Sequence, residues 1–384
     1  MPRDEALIRQ LYVKVGGTLL ETAVMNDLYA VEMDSNLHLP DMCALHLHDS
    51  NADLTNDGPF DLGAELQVGV GDEQGRGESP IFVGEITGIE PEFGDGTVVD
   101  LTVRAYDRAH RLHRGVHTRA YTGMSDSDIA SEIAQSVGLQ ADVDASSPTH
   151  DHVYQDGQTH MAFLRDRARR IGYDLAVRGD TLYFKQGGSI SQETVDLEWG
   201  VQLNSFRPIL TLGGQVSDAS VKGWDLSTKR EIVGRATTGE AAPEIGESQS
   251  GGQLAEGAFG SASDLAVRTT VVSQDEADSL AQALLNEHDG AFVEAEGVCN
   301  GVPELKAGCT ANISALGNRF NGRYTVTSAT HIWDTRSDYI VRFRVSGRRP
   351  DTLRELLVEE TDSPARWHAM IGVVTNNDDS DNLG

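Results

Sequence analysis

Residues 105–130 read AYDRAHRLHRGVHTRAYTGMSDSDIA, and inside this stretch the hydrophobic pattern of the chain changes its period. Before it, apolar and polar residues alternate at period two, which is typical of half-buried β-strands. Within it, Ser125 followed by Asp128 predicts a capped helix start, because both side chains can bind free N–H groups of a first turn. An apolar stripe at helical spacing follows over 129–137, and Gly138 ends it. The stretch therefore predicts a boundary between a β region and an α/β region.

The chain before this boundary predicts a series of short strands. Alternating runs lie at 43–48, 66–70 and 99–105, and clusters of turn residues lie at 51–59, 71–80 and 94–96. Short strands separated by such turns predict a barrel or a sandwich.

The chain after the boundary predicts two more helices and a second set of strands. A helix over 159–171 precedes a hairpin over 174–184, and Ser273 predicts the start of a third helix. Strand-like runs then lie at 292–298, 310–314, 324–332 and 339–345. The segment from Gly239 to Ser263 holds six glycines and many small polar residues, so we expect a mobile loop there.

Together these patterns predict a mainly β chain that carries an α/β insertion. The expected parts are a first β domain over 1–119, an α/β module over 120–196, a second β domain over 197–350, a connector over 351–370, and a new strand that opens 371–384. The connector is expected to contain a short helix.

The formal charge is the strongest signal in the composition. Sixty acidic residues against 31 basic ones give a net charge of −29, which argues against nucleic-acid binding. Only five of the basic residues are lysines. Acidic excess with so little lysine favours a protein adapted to a high-salt cytoplasm, because salt screens the repulsion between acidic groups. The alternative is an ordinary acidic protein from a GC-rich genome.

The N-terminus and the cysteines indicate where the chain folds. Residues 1–17 contain neither an apolar signal segment nor a small-residue cleavage site, and no stretch approaches the roughly 18 apolar residues of a membrane helix. We therefore expect folding in the cytosol. Cys43, Cys299 and Cys309 are odd in number and lack metal-type spacing, so we expect buried thiols.

Three histidine pairs are the first candidates for catalytic or metal chemistry: His46 and His48, His110 and His113, and His150 and His152. The first pair stands at i and i+2 of a predicted strand and shares a face, but no third ligand accompanies it. The second pair lies among three arginines, which would repel a divalent cation. Solvated or structural histidines are the favoured interpretation.

Common enzyme motifs do not occur in the sequence. The H-E-x-x-H motif of zinc proteases, the G-x-S-x-G motif of lipases and the P-loop are all absent from it. With 60 acidic residues, the sequence does not exclude a pair of carboxylates of the kind that glycosidases use, but nothing singles out one pair. We predict no catalytic residue, no cofactor and no metal, and a protein that is not an enzyme.

The stretch 105–130 resembles the phage late control protein D and VgrG family of tail-spike hubs. The resemblance continues in the same order at 163–165, 172–174, 182–184, 276–285, 301–308 and 319–326. Residues 372–377 resemble the opening strand of the OB-type domain that follows the hub in this family. These are mostly packing and turn residues, so the resemblance transfers no catalytic role.

The resemblance implies two related tube-like β-barrel domains with the α/β module between them, and the start of an OB-type spike domain at the C-terminus. It implies a homotrimeric hub of a contractile injection machine, because three copies of two similar domains offer six similar surfaces to a hexameric tube. Expected partners are the inner tube protein, the spike or spike-tip protein and baseplate proteins. Such a hub is made in the cytoplasm, becomes part of a phage tail or injection particle, and reaches the target envelope only through the spike. The alternative is an envelope-degrading hydrolase domain of a tail spike.

The expected junction with the spike lies at the C-terminal end, where apolar connector residues precede a strand that has no partner in this sequence. The junction residues are Leu356, Trp367, Met370, Val373, Asn376 and Asn377. A strand that ends at Gly384 cannot close a barrel, so we expect the chain to continue or the strand to pair with a neighbour.

Overall fold

An eleven-stranded sheet runs through both β regions of the chain in the computed structural model. The structure describes residues 10–37, 39–71, 79–94, 98–187, 190, 193–225, 228–267, 271, 273–335 and 339–347.

The first β region and the central region contain the following elements. The first comprises β1 (Gln10–Val15), β2 (Thr18–Leu19), α1 (Thr22–Asp27), β3 (Leu28–Asn36), β4 (Met42–Ser50), α2 (Asp53–Asp57), β5 (Glu65–Gly71), β6 (Ser79–Phe93) and β7 (Val98–Tyr106). The second comprises a 3₁₀ helix (Arg108–His113), β8 (His117–Met124), α3 (Asp126–Ser136), β9 (Gln140–Val143), β10 (His150–Gln158), α4 (His160–Arg170), β11 (Tyr173–Arg178) and β12 (Thr181–Gln186).

The second β region completes the described chain. It comprises β13 (Thr194–Glu198), β14 (Leu203–Leu210), β15 (Asp218–Asp225), β16 (Arg230–Ala236), α5 (Gly251–Phe259), β17 (Ser263–Ala266), α6 (Gln274–Gly290), β18 (Val293–Asn300), β19 (Thr310–Ser314), β20 (Gly322–Thr325), β21 (Ser328–Asp334) and β22 (Ile340–Val345). The predicted fold class, mainly β with an α/β insertion, is confirmed.

The large sheet is a curled half-barrel with the strand order β14-β18-β22-β21-β3-β4-β7-β6-β5-β1-β2. β21 and β3 pair antiparallel at its centre, from Ser328 opposite Asn36 to Asp334 opposite Ala30, and this seam joins the two β regions. On each side of the seam lies a hairpin, β3–β4 or β21–β22, and then one further antiparallel strand, β7 or β18. The two halves are therefore related in the arrangement of their strands.

Alternating strands give each half its own hydrophobic core. Val31, Leu45 and Leu101 of neighbouring strands belong to the first core and are almost completely buried. The second core is closed by a smaller sheet of β13, β19 and β20. Tyr324 of β20 is fully buried there, and its hydroxyl donates to the carbonyl oxygen of Phe320 at 2.6 Å.

The central region is a separate α/β unit with its own core. Its first helix, α3, begins at Ser125, whose side chain accepts from the backbone of Asp128 while Asp128 binds back to Ser125. This capping box confirms the predicted helix start. The hairpin β11–β12 turns at Gly179 and Asp180 as predicted, and β9 pairs parallel with β12.

In the second β region, helix α6 packs directly on the backbone of another three-stranded sheet, which has the strand order β16-β15-β17. The closest approach is at Gly234 of β16, where an added Cβ would lie 2.1 Å from the carbonyl oxygen of Ala277. Only glycine fits so near a helix backbone. The predicted cap of α6 is confirmed, since the Ser273 side chain accepts from the backbone of Glu276.

Two sequence expectations about the second β region are wrong in part. The segment from Gly239 to Ser263 is not one loop, because Ser250 and Gln253 form a capping box that starts α5. The predicted strand 324–332 is two strands, because the chain crosses from the small sheet to the large one at Val326 and Thr327. There the Val326 amide donates to Cys309 and the Thr327 amide to Arg344.

The three cysteines are buried free thiols, as predicted. Burial raises the pKa of Cys299 to about 12 and that of Cys309 to about 11, so these thiols stay protonated and unreactive. Among the described residues, no helix has the length and apolar character needed to cross a membrane.

Candidate functional site

The expected spike-junction residues lie outside the described residues, which end at Gly347. These are Leu356, Trp367, Met370, Val373, Asn376 and Asn377, and the connector 351–370 and the strand within 371–384 also lie there. Gly347 itself lies against the C-terminal end of α6, since an added Cβ would be 2.9 Å from the backbone of Gly290. The spike junction therefore stays a prediction.

His46 and His48 lie on the polar face of β4, as their spacing predicts, and both bind β7. Nδ1 of His46 lies 3.1 Å from Oγ1 of Thr102, and Nδ1 of His48 lies 3.0 Å from a carboxylate oxygen of Asp100. The His48 ring also stacks on Tyr29 at 4.3 Å between centroids. In the part of the chain that the structure describes, no cluster of three metal-ligating side chains forms.

The arginines around His110 bind a carboxylate instead of repelling a cation. Nε2 of His110 lies 2.8 Å from Oε2 of Glu85, and Arg111 donates to both oxygens of the same carboxylate. Burial opposes ionisation of Glu85, but the hydrogen bonds from Arg111 and His110 outweigh it and hold the pKa of that carboxyl below its usual range. Because Arg111 also donates to the carbonyl oxygen of Val137 at 3.2 Å, this cluster ties β6 to the end of α3.

Loop 301–309 contacts all three regions of the chain. Lys306 donates to the carbonyl oxygen of Pro80 at 2.9 Å, and the amide of Ala307 donates to Oγ of Ser35 at 3.2 Å. From the central region, Arg178 donates to the carbonyl oxygen of Ala307 at 2.7 Å. We call Ser35, Asp41, Asp107, Arg178, Lys306 and Ala307 the three-way junction.

Two carboxylates and two cations face each other at the three-way junction. Burial raises the pKa of Asp41 to about 6, although the Asn36 amide, Lys306 and Arg178 act against that rise. Burial and the charge of Asp41 raise the pKa of Asp107, and burial lowers the pKa of Lys306. The neighbouring cavity holds only about 30 Å³, which is room for water and not for an organic ligand. The junction therefore serves to hold the three regions together.

Replacing Asp41 with asparagine should remove a pH-dependent cost of folding. An unfolded aspartate ionises near about pH 4, whereas Asp41 in the native state retains its proton up to about pH 6. The native chain therefore loses stability as the pH rises between these two values, and above about pH 6 the loss is complete. Asp41→Asn should equal the native chain in unfolding free energy near about pH 4 and exceed it by about 1–3 kcal/mol near about pH 8. Denaturant unfolding across this range measures the difference. The exposed Asp156→Asn is the control, and a difference that does not vary with pH would contradict the assignment.

A second buried ion cluster lies inside the central region, and the histidine spacing did not predict it. Asp126 is 1% exposed, and its carboxylate accepts hydrogen bonds from Nε and Nη2 of Arg167 at 2.5 and 3.2 Å. Nη2 of Arg167 also lies 2.8 Å from Nε2 of His150, whose lone pair can accept from it. His150 thus pairs with Arg167 and Asp126 and not with His152.

Two arginines of α4 extend this network to the second β region. Arg169 makes two hydrogen bonds to Glu287 of α6, at 2.7 and 3.1 Å, and Arg170 reaches the buried Glu276 at 2.5 Å. The only available sequence signal was the dense run of arginines in 165–170. The ion pairs from α4 to α6 therefore attach the central region to the second β region.

The described surface also offers strand edges and apolar side chains for assembly. β14 and β2 are the edge strands of the large sheet. Trp199 is 55% exposed beside β14. Trp224 and Val233 lie on the outer face of the sheet that α6 covers from the other side. Open strand edges and exposed apolar side chains are features through which protein chains can pair.

The model of the family described as the Alg8 N-terminal domain matches residues 6–334. In a search of curated proteins, none matches this chain.

Several solved structures share the fold. The 43 kDa tail protein of prophage MuSo2 from Shewanella oneidensis has a TM-score of 0.64 and 14% identity, over 88% of this chain and 98% of that one. The tail protein from Neisseria meningitidis MC58 has a TM-score of 0.64 and 12% identity, over 88% and 97%. The E. coli c3393 protein, a type VI secretion component similar to the T4 tail proteins gp27 and gp5, has a TM-score of 0.56 and 13% identity, over 88% and 79%. At such identities the likeness shows the fold alone, which this chain shares with these tail and type VI secretion proteins.

Proposed function

Because the chain belongs to the Alg8 N-terminal domain family and has the fold of phage tail and type VI secretion proteins, we propose that it is the structural hub of a contractile injection machine. The observation that carries this proposal is the match over 98% of the MuSo2 tail protein, which includes both β halves and the α/β unit between them. The family description names no activity, so the function rests on the fold.

The proposed hub is a homotrimer that joins a hexameric inner tube to a threefold spike. The two halves of the large sheet, related across the β3–β21 seam, support this stoichiometry, because three copies would present six similar surfaces. The edge strands β14 and β2 are candidate contacts between copies, since each leaves backbone groups unpaired in one chain.

The proposed partners are the inner tube protein, the spike or spike-tip protein and baseplate proteins, and the proposed role is not enzymatic. The Glu85 cluster, the ion pairs from α4 to α6 and the three-way junction support it, because each tightens contacts between regions of the chain. We propose that the hub is made in the cytoplasm, becomes part of a phage tail or injection particle, and meets the target envelope only through its spike. Its acidic composition fits assembly at high salt.

A truncation at Asp351 tests the spike junction. The truncated chain should remain a trimer by light scattering, because the described core lies before that point, but it should no longer retain the spike protein in a pull-down. Trp367→Ser in the full chain should weaken spike retention in the same direction. A truncated trimer that still holds the spike would place the junction elsewhere.

The same preparations test the alternative of a hydrolase. The full chain should release no soluble fragments from purified envelope material. Fragment release that persists in the purified chain would overturn the non-enzymatic role.

A further inference from the structure

A polar cavity of about 310 Å³ lies between α5, the C-terminal end of α6, and the adjoining ends of β15 and β16. Gly239, Ser250 and Gln253 line one wall. They belong to the segment from Gly239 to Ser263, whose composition predicts a mobile loop. The volume lies at the lower end of the range of small-molecule sites.

Two buried side chains present unpaired oxygen acceptors at this cavity. Gln215 is 7% exposed, and its Nε2 donates to the carbonyl oxygen of His288 at 2.5 Å, which fixes Oε1 as the free end of the amide. Asp289 is 5% exposed, and its Oδ2 accepts hydrogen bonds from the amides of Ala241 and Ala242 at 3.0 and 2.8 Å. Its other oxygen, Oδ1, is the free acceptor.

Neither Oε1 of Gln215 nor Oδ1 of Asp289 has a hydrogen-bond partner among the described residues, and neither atom is sealed from the cavity. Because both atoms keep some solvent contact, water can supply donors to them in the open cavity. A ligand that displaces this water must therefore be rich in donors itself.

The charges around the cavity favour a cation. Asp218, Glu256 and Asp289 line it against a single cation, Arg235, whose Nη2 lies 3.3 Å from Oδ2 of Asp218. The N-terminus of α5 and the C-terminus of α6 both adjoin the cavity, and their partial charges of about one half are opposite in sign and offset each other. The lining of the cavity therefore carries two more carboxylates than cations.

We propose that this cavity binds a small organic cation with several N–H donors, that is, a protonated amine or guanidine. Its N–H groups would satisfy Oε1 of Gln215 and Oδ1 of Asp289, and its charge would offset the surplus carboxylates. A divalent metal fits less well, because no three metal-ligating side chains converge in the described part of the chain. The inference does not depend on the proposed hub function.

The first test compares propylguanidinium with propylurea, its neutral analogue of the same shape. Both are titrated into the full chain at low salt and followed by saturation-transfer NMR. We expect a Kd on the order of 1 mM for propylguanidinium, as befits a fragment of this size, and binding at least about tenfold weaker for propylurea. Equal binding of the two would overturn the proposal.

The second test uses Asp289→Asn. The asparagine amide oxygen can still accept from Ala241 and Ala242, while its NH₂ replaces the free acceptor Oδ1 with a donor. Propylguanidinium should bind at least about tenfold more weakly. Should this variant melt early, Glu256→Gln on the surface of α5 should weaken binding about threefold.

The matched control is Glu296→Gln, which removes one charge from an exposed position of β18 outside the cavity. It should leave propylguanidinium binding unchanged. If it weakens binding as much as Asp289→Asn does, the cation is attracted by the acidic surface in general and the proposal fails.

Two sources could supply such a cation, and assembly experiments separate them. If the cation is a free metabolite, native mass spectrometry of the chain from its own cells should show a bound amine that Asp289→Asn lacks. If it is a lysine or arginine side chain of a partner, propylguanidinium and Asp289→Asn should both weaken complex formation with that partner. If neither a bound amine nor a weakened complex is observed, no physiological cation occupies the cavity and the proposal is overturned.

Discussion

Replacing Arg167 with methionine should lower the free energy of unfolding by about 3–5 kcal/mol, because it leaves the carboxylate of Asp126 buried without its cation. Asp126 receives two hydrogen bonds from this one guanidinium, and methionine can fill the space without replacing either. Denaturant unfolding, followed by circular dichroism, measures the loss.

Two companion variants show whether burial of the charge is the cause. The double variant Arg167→Met/Asp126→Asn should recover most of the loss, because it removes both charges. Arg344→Met is the surface control: it breaks the ion pair with Glu296, in which both side chains are 60% exposed, and should cost less than about 1 kcal/mol. If the double variant is no more stable than the single one, the loss comes from packing and not from the buried carboxylate.

The melting temperature should rise by about 5 °C or more between about 0.1 and 1 M sodium chloride, through screening of a net charge of −29. The Debye length falls from about 10 Å to about 3 Å over this range, which weakens repulsion between exposed carboxylates far more than it weakens the buried ion pairs. Differential scanning calorimetry at several salt concentrations measures the shift.

Sucrose at matched osmolality separates screening from general solute exclusion. Sucrose should reproduce only a small part of the rise, because it carries no charge. A melting temperature that does not change with salt would show that repulsion between the acidic groups does not destabilise the fold.

Helices and hairpins of this chain could be predicted because their signals are local. Ser125 with Asp128 and Ser273 with Glu276 cap helices through contacts that lie within one turn of sequence. The hairpin β11–β12 needed only two alternating runs and a glycine turn. Where a short segment contains both partners of an interaction, the residue pattern of that segment is enough to predict the element.

The seam between β3 and β21 could not be read in the same way. It pairs Asp34 with Thr330, two residues that lie near opposite ends of the described sequence. The residue pattern of one strand does not identify the other strand as its partner. The break at Val326 and Thr327 follows from the same cause, since it marks the passage of the chain between two sheets. Non-local pairing is set by the packing of the whole fold.

The charged sites were missed for a related reason. His150 was noticed for its nearness to His152 in sequence, but its partners Asp126 and Arg167 come from two helices elsewhere in the module. The cavity at Gln215 and Asp289 was hidden because its wall is a glycine-rich segment whose composition favours a loop. Both sites depend on where helices end in space and not on residue spacing.

The hub function is tested most directly by electron microscopy of assembled injection particles that carry a tagged copy of this chain. We expect three copies in one ring, seated between the hexameric tube and the threefold spike, with both β halves facing the tube. Particles in which tube and spike are joined while the tag lies elsewhere, or appears in a number other than three, would contradict that function.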